Sequence, residues 1–161
     1  FRKNPNSIGK QNTVFTIPLH PISAEYKEET PMGPIGIARN GVLIFNQYAA
    51  QRAPLDREFQ SFDNYNGHPA GTTYHYHVEP LSLTEKFGED ALLGLLLDGF
   101  PFYGPLENGV ILTSDDLDEY HGHFSKTAEF PDGIYHYHVT PNEDPYINGN
   151  GYFGTPGNIT Q

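Results

Sequence analysis

Two short stretches of this chain alternate, residue by residue, between an apolar or aromatic side chain and a histidine. They are Tyr74-His75-Tyr76-His77-Val78 and Tyr135-His136-Tyr137-His138-Val139. Alternation with a period of two marks a strand whose side chains point in turn to opposite faces. Tyr74, Tyr76 and Val78 then share one face, as do Tyr135, Tyr137 and Val139, and that face is expected to point inward. The histidines occupy the other face. Residues two apart on a strand lie roughly 6.5–7 Å from each other, a spacing at which two imidazoles can lean onto one ion.

The surrounding pattern recurs as well. Gly36 to Phe45 and Gly94 to Tyr103, 58 positions apart, each consist of an apolar run, Asn40-Gly41 or Asp98-Gly99, and a second apolar run. Such a pair predicts a hairpin with a two-residue turn, because both central residues tolerate positive φ. Phe62 to His68 aligns with Leu117 to His123, each ending in Gly-His, at an offset of 55, and the Tyr-His copies are offset by 61. The six extra residues fall around Pro131-Asp132-Gly133 and read as a loop insertion. The chain thus reads as one domain, 1–161, built from two repeats at about 33–80 and 91–141. Each repeat is a hairpin, an acidic segment, a Gly-His loop and a Tyr-His strand.

Outside the repeats, Thr13 to Ile17 alternates like a further strand, and the tail from Asn142 reads as an irregular wrap over the surface. Ala91 to Leu97 fits a buried strand. Helix is confined to a turn or two at Leu81 to Phe87, Asp115 to Tyr120 and Pro54 to Phe62. The expected fold is mostly β: an internally duplicated β-sandwich or barrel-like domain with pseudo-two-fold symmetry and short helical turns only.

Composition agrees. The chain has 17 Gly and 14 Pro, which favour turns over long helices, and 11 Tyr and 11 Phe, which supply core bulk. Its formal charge of −11 argues against nucleic acid and anionic membrane surfaces as partners, since both need a positive face. There is no cysteine, which excludes disulfides, thiolate zinc sites and cysteine nucleophiles. No apolar run reaches the roughly 18–20 residues that span a bilayer, so membrane insertion is not expected. The chain begins at Phe1 rather than Met, so an upstream piece is expected to have been removed or left out.

Six of the eight histidines fall at matched positions. His68, His75, His77, His123, His136 and His138 are therefore the candidate metal ligands, since imidazole is the commonest ligand of transition metals and nothing in strand propensity calls for His at matched positions. The alternative is solvent-facing strand residues, with the tyrosines carrying the fold. Zinc suits three imidazoles with an open position, and copper binds nitrogen ligands still more tightly. With no Cys and only Met32, a blue-copper centre does not fit. Two arrangements are open: one ion per half, or six imidazoles brought together across the dyad. Some convergence across the dyad is the favoured one. His121 reads as an extra ligand or a loop side chain, and His20 as structural.

Asp63 and Asp118 are matched, five residues before each Gly-His histidine. They are the candidate catalytic carboxylates, either orienting a ligating His or acting as general base. An Asx turn opening the loop is the equal alternative. Asn40 and Asp98 are expected to serve their turns. The acidic run Ser114 to Glu119 is a weak calcium candidate and more simply a solvated turn. The surplus aromatic rings leave a polysaccharide or other surface ligand open as a partner.

These residues resemble the YHYH-domain family. The resemblance rests on Gly33-Pro34-Ile35-Gly36, Asn40 to Asn46, Asn66-Gly67-His68, Asp98 to Pro105, Leu117-Asp118-Glu119 and both Tyr-His-Tyr-His copies. It implies a fold type, a shared histidine set and an extracytoplasmic or secreted setting, bacterial or phage-associated, without implying a reaction. Tyr65, Tyr120 and Tyr152 stand where relatives often carry Cys. The function expected is metal binding, copper or zinc, with oxidative or hydrolytic catalysis open. The alternatives are a non-catalytic adhesion or virion-associated module holding a structural ion, and a metal-independent hydrolase.

Overall fold

The computed structural model describes residues 4–161, so Phe1 lies outside the described residues. In chain order the strands are β1 (Val14–Thr16), β2 (Pro34–Ala38), β3 (Leu43–Phe45), β4 (Tyr48–Ala49), β5 (Ala53–Pro54), β6 (Gly67–Ala70), β7 (Thr73–Tyr76), β8 (Leu92–Leu96), β9 (Pro101–Tyr103), β10 (Leu106–Glu107), β11 (Val110–Ile111), β12 (Gly122–Ser125), β13 (Ile134–His138) and β14 (Asn158–Thr160). The protein is mostly β, as the alternation requires. Leu81–Phe87 forms the α-helix α1, and the other two expected helical stretches become 3-10 turns at Leu55–Arg57, Phe59–Ser61 and Ser114–Asp116. Among the described residues no helix is long and apolar enough to cross a membrane.

Eight strands form one sheet in the order β12-β13-β9-β8-β2-β3-β7-β6. The pairings are the same outward from the centre in both directions. Each hairpin, β2–β3 or β8–β9, takes its Tyr-His strand in parallel beside its second strand, and that strand pairs antiparallel with its Gly-His strand. At the centre β2 and β8 run antiparallel, with Ile37 opposite Leu95. The sheet stays open and closes no barrel.

This order overturns the convergence of six imidazoles across the dyad. The first strand of each hairpin fills the centre, so β7 and β13 are held apart by β9, β8, β2 and β3. Five inter-strand steps of about 4.8 Å put them about 24 Å apart along the sheet.

The hairpin turns also differ from expectation. Gly41 and Gly99 take φ of 82° and 85°, while Asn40 and Asp98 stay out of the left-handed region. Gly41 N donates to Ala38 O and Ala38 N to Val42 O; Gly99 N and Leu96 N repeat this with Leu96 O and Phe100 O. These are three-residue loops closed by a left-handed Gly. Asn40 and Asp98 are thereby freed to use their side chains. Each Oδ1 accepts the amide two residues on, at 3.2 Å in both turns. Asn40 Nδ2 also reaches the Tyr76 hydroxyl at 3.1 Å, and Asp98 Oδ2 accepts the Tyr137 hydroxyl at 2.6 Å. Each turn therefore anchors the second tyrosine of its own Tyr-His strand.

The tyrosine face points inward as expected: Tyr76, Val78, Tyr137 and Val139 join Ile35, Ile44, Leu93, Leu96 and Phe102 in the core. The tail is more than a surface wrap. Ile147 and Tyr152 are buried in that core, Phe153 stacks on Tyr135 at 3.6 Å, and β14 pairs with β1. Each buried aromatic ring removes about 150–250 Å² from water, and backbone bonds such as Asn150 N to Glu119 O, Tyr152 N to Glu28 O and Gly157 N to Leu97 O, each 2.9 Å, tie the tail to the body.

Candidate metal centres

The histidine face is buried too, which excludes solvent-facing strand residues. His68, His75, His77, His136 and His138 are all buried. In the first half, β6 and β7 place His68 directly opposite His75, and the 2-residue period puts His77 on the same face. The hydrogen bonds then fix how each ring presents itself. A carbonyl can only accept, so the ring nitrogen facing it carries the hydrogen. His75 Nδ1 faces the Thr73 carbonyl at 3.0 Å and His77 Nδ1 the Asn46 carbonyl at 2.6 Å. Ser61 Oγ donates to the Glu58 carbonyl at 2.7 Å, so it accepts from His68 Nδ1, also at 2.7 Å.

All three rings therefore aim a bare Nε2 lone pair at one point. His75 Nε2 lies 3.1 Å from His68 Nε2 and 2.9 Å from His77 Nε2. Lone pairs at that separation repel unless a cation lies between them. Protons do not supply it near neutrality. Burial, helped by the neighbouring rings, pushes His75 down to about 3, and burial pushes His68 and His77 down to about 4. A metal ion with bonds of about 2.0–2.1 Å to nitrogen separates its ligands by about 2.9 Å at right angles and about 3.3 Å in a tetrahedron. The observed spacings fit. Glu58 Oε2 stands 3.5 Å from His68 Nε2 and 3.7 Å from His77 Nε2, and burial raises its pKa.

The second half builds the same group from the same positions. His123 pairs opposite His136 on β12 and β13. His136 Nδ1 donates to the Ile134 carbonyl at 2.9 Å and His138 Nδ1 to the Gly104 carbonyl at 2.8 Å. Here the Nε2 atoms of His123, His136 and His138 gather on Glu107 Oε1, at 3.2, 3.4 and 3.7 Å. Burial alone would raise the Glu107 pKa; the Ser125 hydroxyl at 2.6 Å and the surrounding rings hold it below the usual range. Burial lowers His136, and takes His138 to about 4. The Nε2 atom of His138 is buried without a hydrogen-bond partner, and that of His123, close as it is to Glu107 Oε1, is not aligned for a hydrogen bond to it. Among the described residues, the donor atoms of His68, His75 and His77 all lie within 4.8 Å of one another, as do those of Glu107, His123, His136 and His138.

All six expected ligands are thus brought together, three and three. Phe45 stacks on His75 at 3.9 Å, and Tyr103, the matched residue, lies edge-on to His136 at 5.0 Å. Asp63 and Asp118 do something other than touch the rings. Asp63 Oδ1 accepts the amides of Tyr65 and Gly67 at 2.8 and 3.1 Å, and its Oδ2 accepts the Tyr74 hydroxyl at 2.7 Å. Asp118 Oδ1 accepts Tyr120 N, Gly122 N and the Tyr135 hydroxyl at 2.9, 3.1 and 2.9 Å. This is the Asx-turn alternative: it shapes the Gly-His loop and pins the first tyrosine. Backbone carbonyls and Ser61 orient the rings instead. The glycine of each Gly-His pair is required by close approach, since a Cβ on Gly67 or Gly122 would collide with the Tyr74 or Tyr135 hydroxyl.

His121 is buried, donates Nε2–H to Thr140 Oγ1 at 2.8 Å, and belongs to neither group. It shares the left-handed backbone of its counterpart, φ 72° against 65° at Asn66. His20 is exposed. In the acidic run, Asp116 caps its own turn through Thr113 N and Oγ1, both at 2.9 Å, and the run contributes to neither convergent group. Sequence reasoning missed Glu58, Glu107 and Ser61. They sit in the connections between hairpin and Gly-His strand, which differ between the halves, so no repeat marks them. Only Asn108-Gly109, the turn of the β10–β11 hairpin, hints that Glu107 is folded back.

The fold and sites define a mostly β protein whose histidines form two separate groups that could hold a metal ion. The sequence model of the family described as YHYH protein matches residues 14–111 and 106–150, and the chain belongs to that family. No curated protein and no solved structure matches it.

Proposed function

We propose that this protein is an extracytoplasmic metal-binding protein, built by internal duplication, that holds two transition-metal ions, one in each half. The observation that carries the reading is the trio of Nε2 lone pairs in the first half, 2.9 and 3.1 Å apart with every Nδ1–H committed elsewhere. The donor set is three imidazoles and a nearby carboxylate. It suits zinc or copper; calcium and magnesium require more oxygen. A bound ion of this kind lowers the pKa of a coordinated water and polarises an oxygen ligand. The residues of the chain contribute the neutral, oriented rings and the carboxylates Glu58 and Glu107.

A non-catalytic role is favoured for the first site by its burial: an ion on His68, His75 and His77 would join β6, β7 and the chain after it into one unit. In this reading the protein is a non-catalytic adhesion or virion-associated module whose ion is structural, and a structural ion adds to folding free energy. Elemental analysis of protein produced without a histidine tag tests the reading. Two equivalents per chain are expected, falling to one in His75→Ala/His77→Ala and to one in His136→Ala/His138→Ala. Unchanged stoichiometry in either variant refutes the assignment of that site. Cell fractionation of the native source tests the location.

A further inference from the structure

The two sites differ in what lies outside them. His136 and His138 open onto a cleft of about 420 Å³ that also reaches Arg39 and Phe87. The buried, unpartnered Nε2 of His138 belongs to this lining. The Arg39 guanidinium lies 3.9 Å over the ring of Phe87, an exposed aromatic, and is steadied by the Leu92 carbonyl at 3.3 Å. Arg39 comes from the turn of the first hairpin, so the first half supplies a cation to the cleft of the second. Lys126 lies on the same cleft, and among the described residues neither cation forms an ion pair.

Charge makes this unusual. The chain carries −11, with 20 acidic side chains to 9 basic ones, yet two unpaired cations face one cleft. Three carboxylates share the lining, Asp90, Glu107 and Glu129. Two are committed: Glu107 to Ser125 and the imidazoles, and Glu129 to the Tyr103 hydroxyl at 2.9 Å. With a dication on the histidines, the formal balance of the lining turns from one net negative to one net positive.

We propose that the second metal centre is a ligand-binding centre for a small carboxylate carried on a flat apolar body. The carboxylate would bind the ion held by the histidines and pair with Arg39, and the body would rest against the aromatic residues of the cleft lining, Phe87 and Tyr103. This rests on the metal reading above and adds the ligand class. Anionic oxygen is a good donor to zinc and copper, which accept a fifth ligand, and a guanidinium matches a carboxylate two-pronged. At the first site aromatic rings pack directly on the imidazoles: Phe45 stacks on His75, and Phe62 packs edge-on at 4.7 Å from His68 and stacked at 6.2 Å from His77.

The test uses the full chain loaded with Co²⁺ as a spectroscopic probe and titrated with benzoate, with metal content measured on each sample. A saturable change in the visible Co²⁺ bands at one equivalent per chain is expected. It persists in His75→Ala/His77→Ala and is lost in His136→Ala/His138→Ala. Arg39→Gln, on an exposed turn, leaves metal content intact and weakens benzoate binding roughly 10–100-fold, the value of a charged hydrogen bond. Metal at the second site with no benzoate response, or a response indifferent to Arg39→Gln, overturns the ligand proposal alone. Absence of metal from the second site overturns it together with the metal reading there.

Discussion

With no metal ion bound, this protein should unfold in mild acid, and its histidines set the size of the effect. Four well-buried rings are held far below the ordinary value of about 6.5. Burial puts His77, His121 and His138 at about 4, and burial with the His77 charge puts His75 at about 3. A base with a depressed folded pKa binds protons less readily folded than unfolded. Its contribution is complete above about pH 6.5, and stability is lost as pH falls toward the folded value. Between pH 7 and pH 5 each ring costs about 1.8 kcal/mol, so the four together cost about 7 kcal/mol. Domains of this kind have about 5–15 kcal/mol in all. His68 and His136 shift in the same direction, while Glu58, Glu79 and Asp98, which burial pushes up, work in the opposite sense. Urea melts followed by circular dichroism at pH 7, 6 and 5, with a chelator present, should show the midpoint collapsing by pH 5. His121→Gln, outside both metal groups, should flatten the dependence by about one proton. Excess zinc should restore the midpoint at pH 6, because the ion binds only neutral rings. Chelated protein equally stable at pH 7 and pH 5 would refute the reasoning.

Other consequences are more local. Ser61→Ala removes the acceptor that orients His68, and should weaken the first ion roughly 10–100-fold while leaving the second unchanged, as read by competition with a chromophoric chelator. Asp98→Ala strips the Tyr137 hydroxyl and the Gly154 and Phe100 amides of their acceptor, and should cost about 2–5 kcal/mol in urea unfolding, with Asp98→Asn costing less.

The strands and their inward faces were legible in the sequence because period-two alternation is a local property: Tyr76 and Tyr137 had to face one way and His75 and His136 the other. Matched histidines likewise marked all six rings that the fold gathers into two groups, since side chains two apart on a strand share a face whatever surrounds them. Tertiary structure decided the rest. Which strands are neighbours depends on how the two hairpins meet, and the β2–β8 contact at the centre made two distant sites where the sequence left one shared site open. Whether a histidine face is wet or buried depends on what covers it, here Phe45, Phe62 and Tyr103. The carboxylates came from Glu58 and Glu107, in connections whose paths no local pattern encodes, while Asp63 and Asp118 were claimed by nearby backbone amides and tyrosine hydroxyls. Local chemistry fixes what a side chain can do, and only the folded chain's long-range packing fixes which partner it meets.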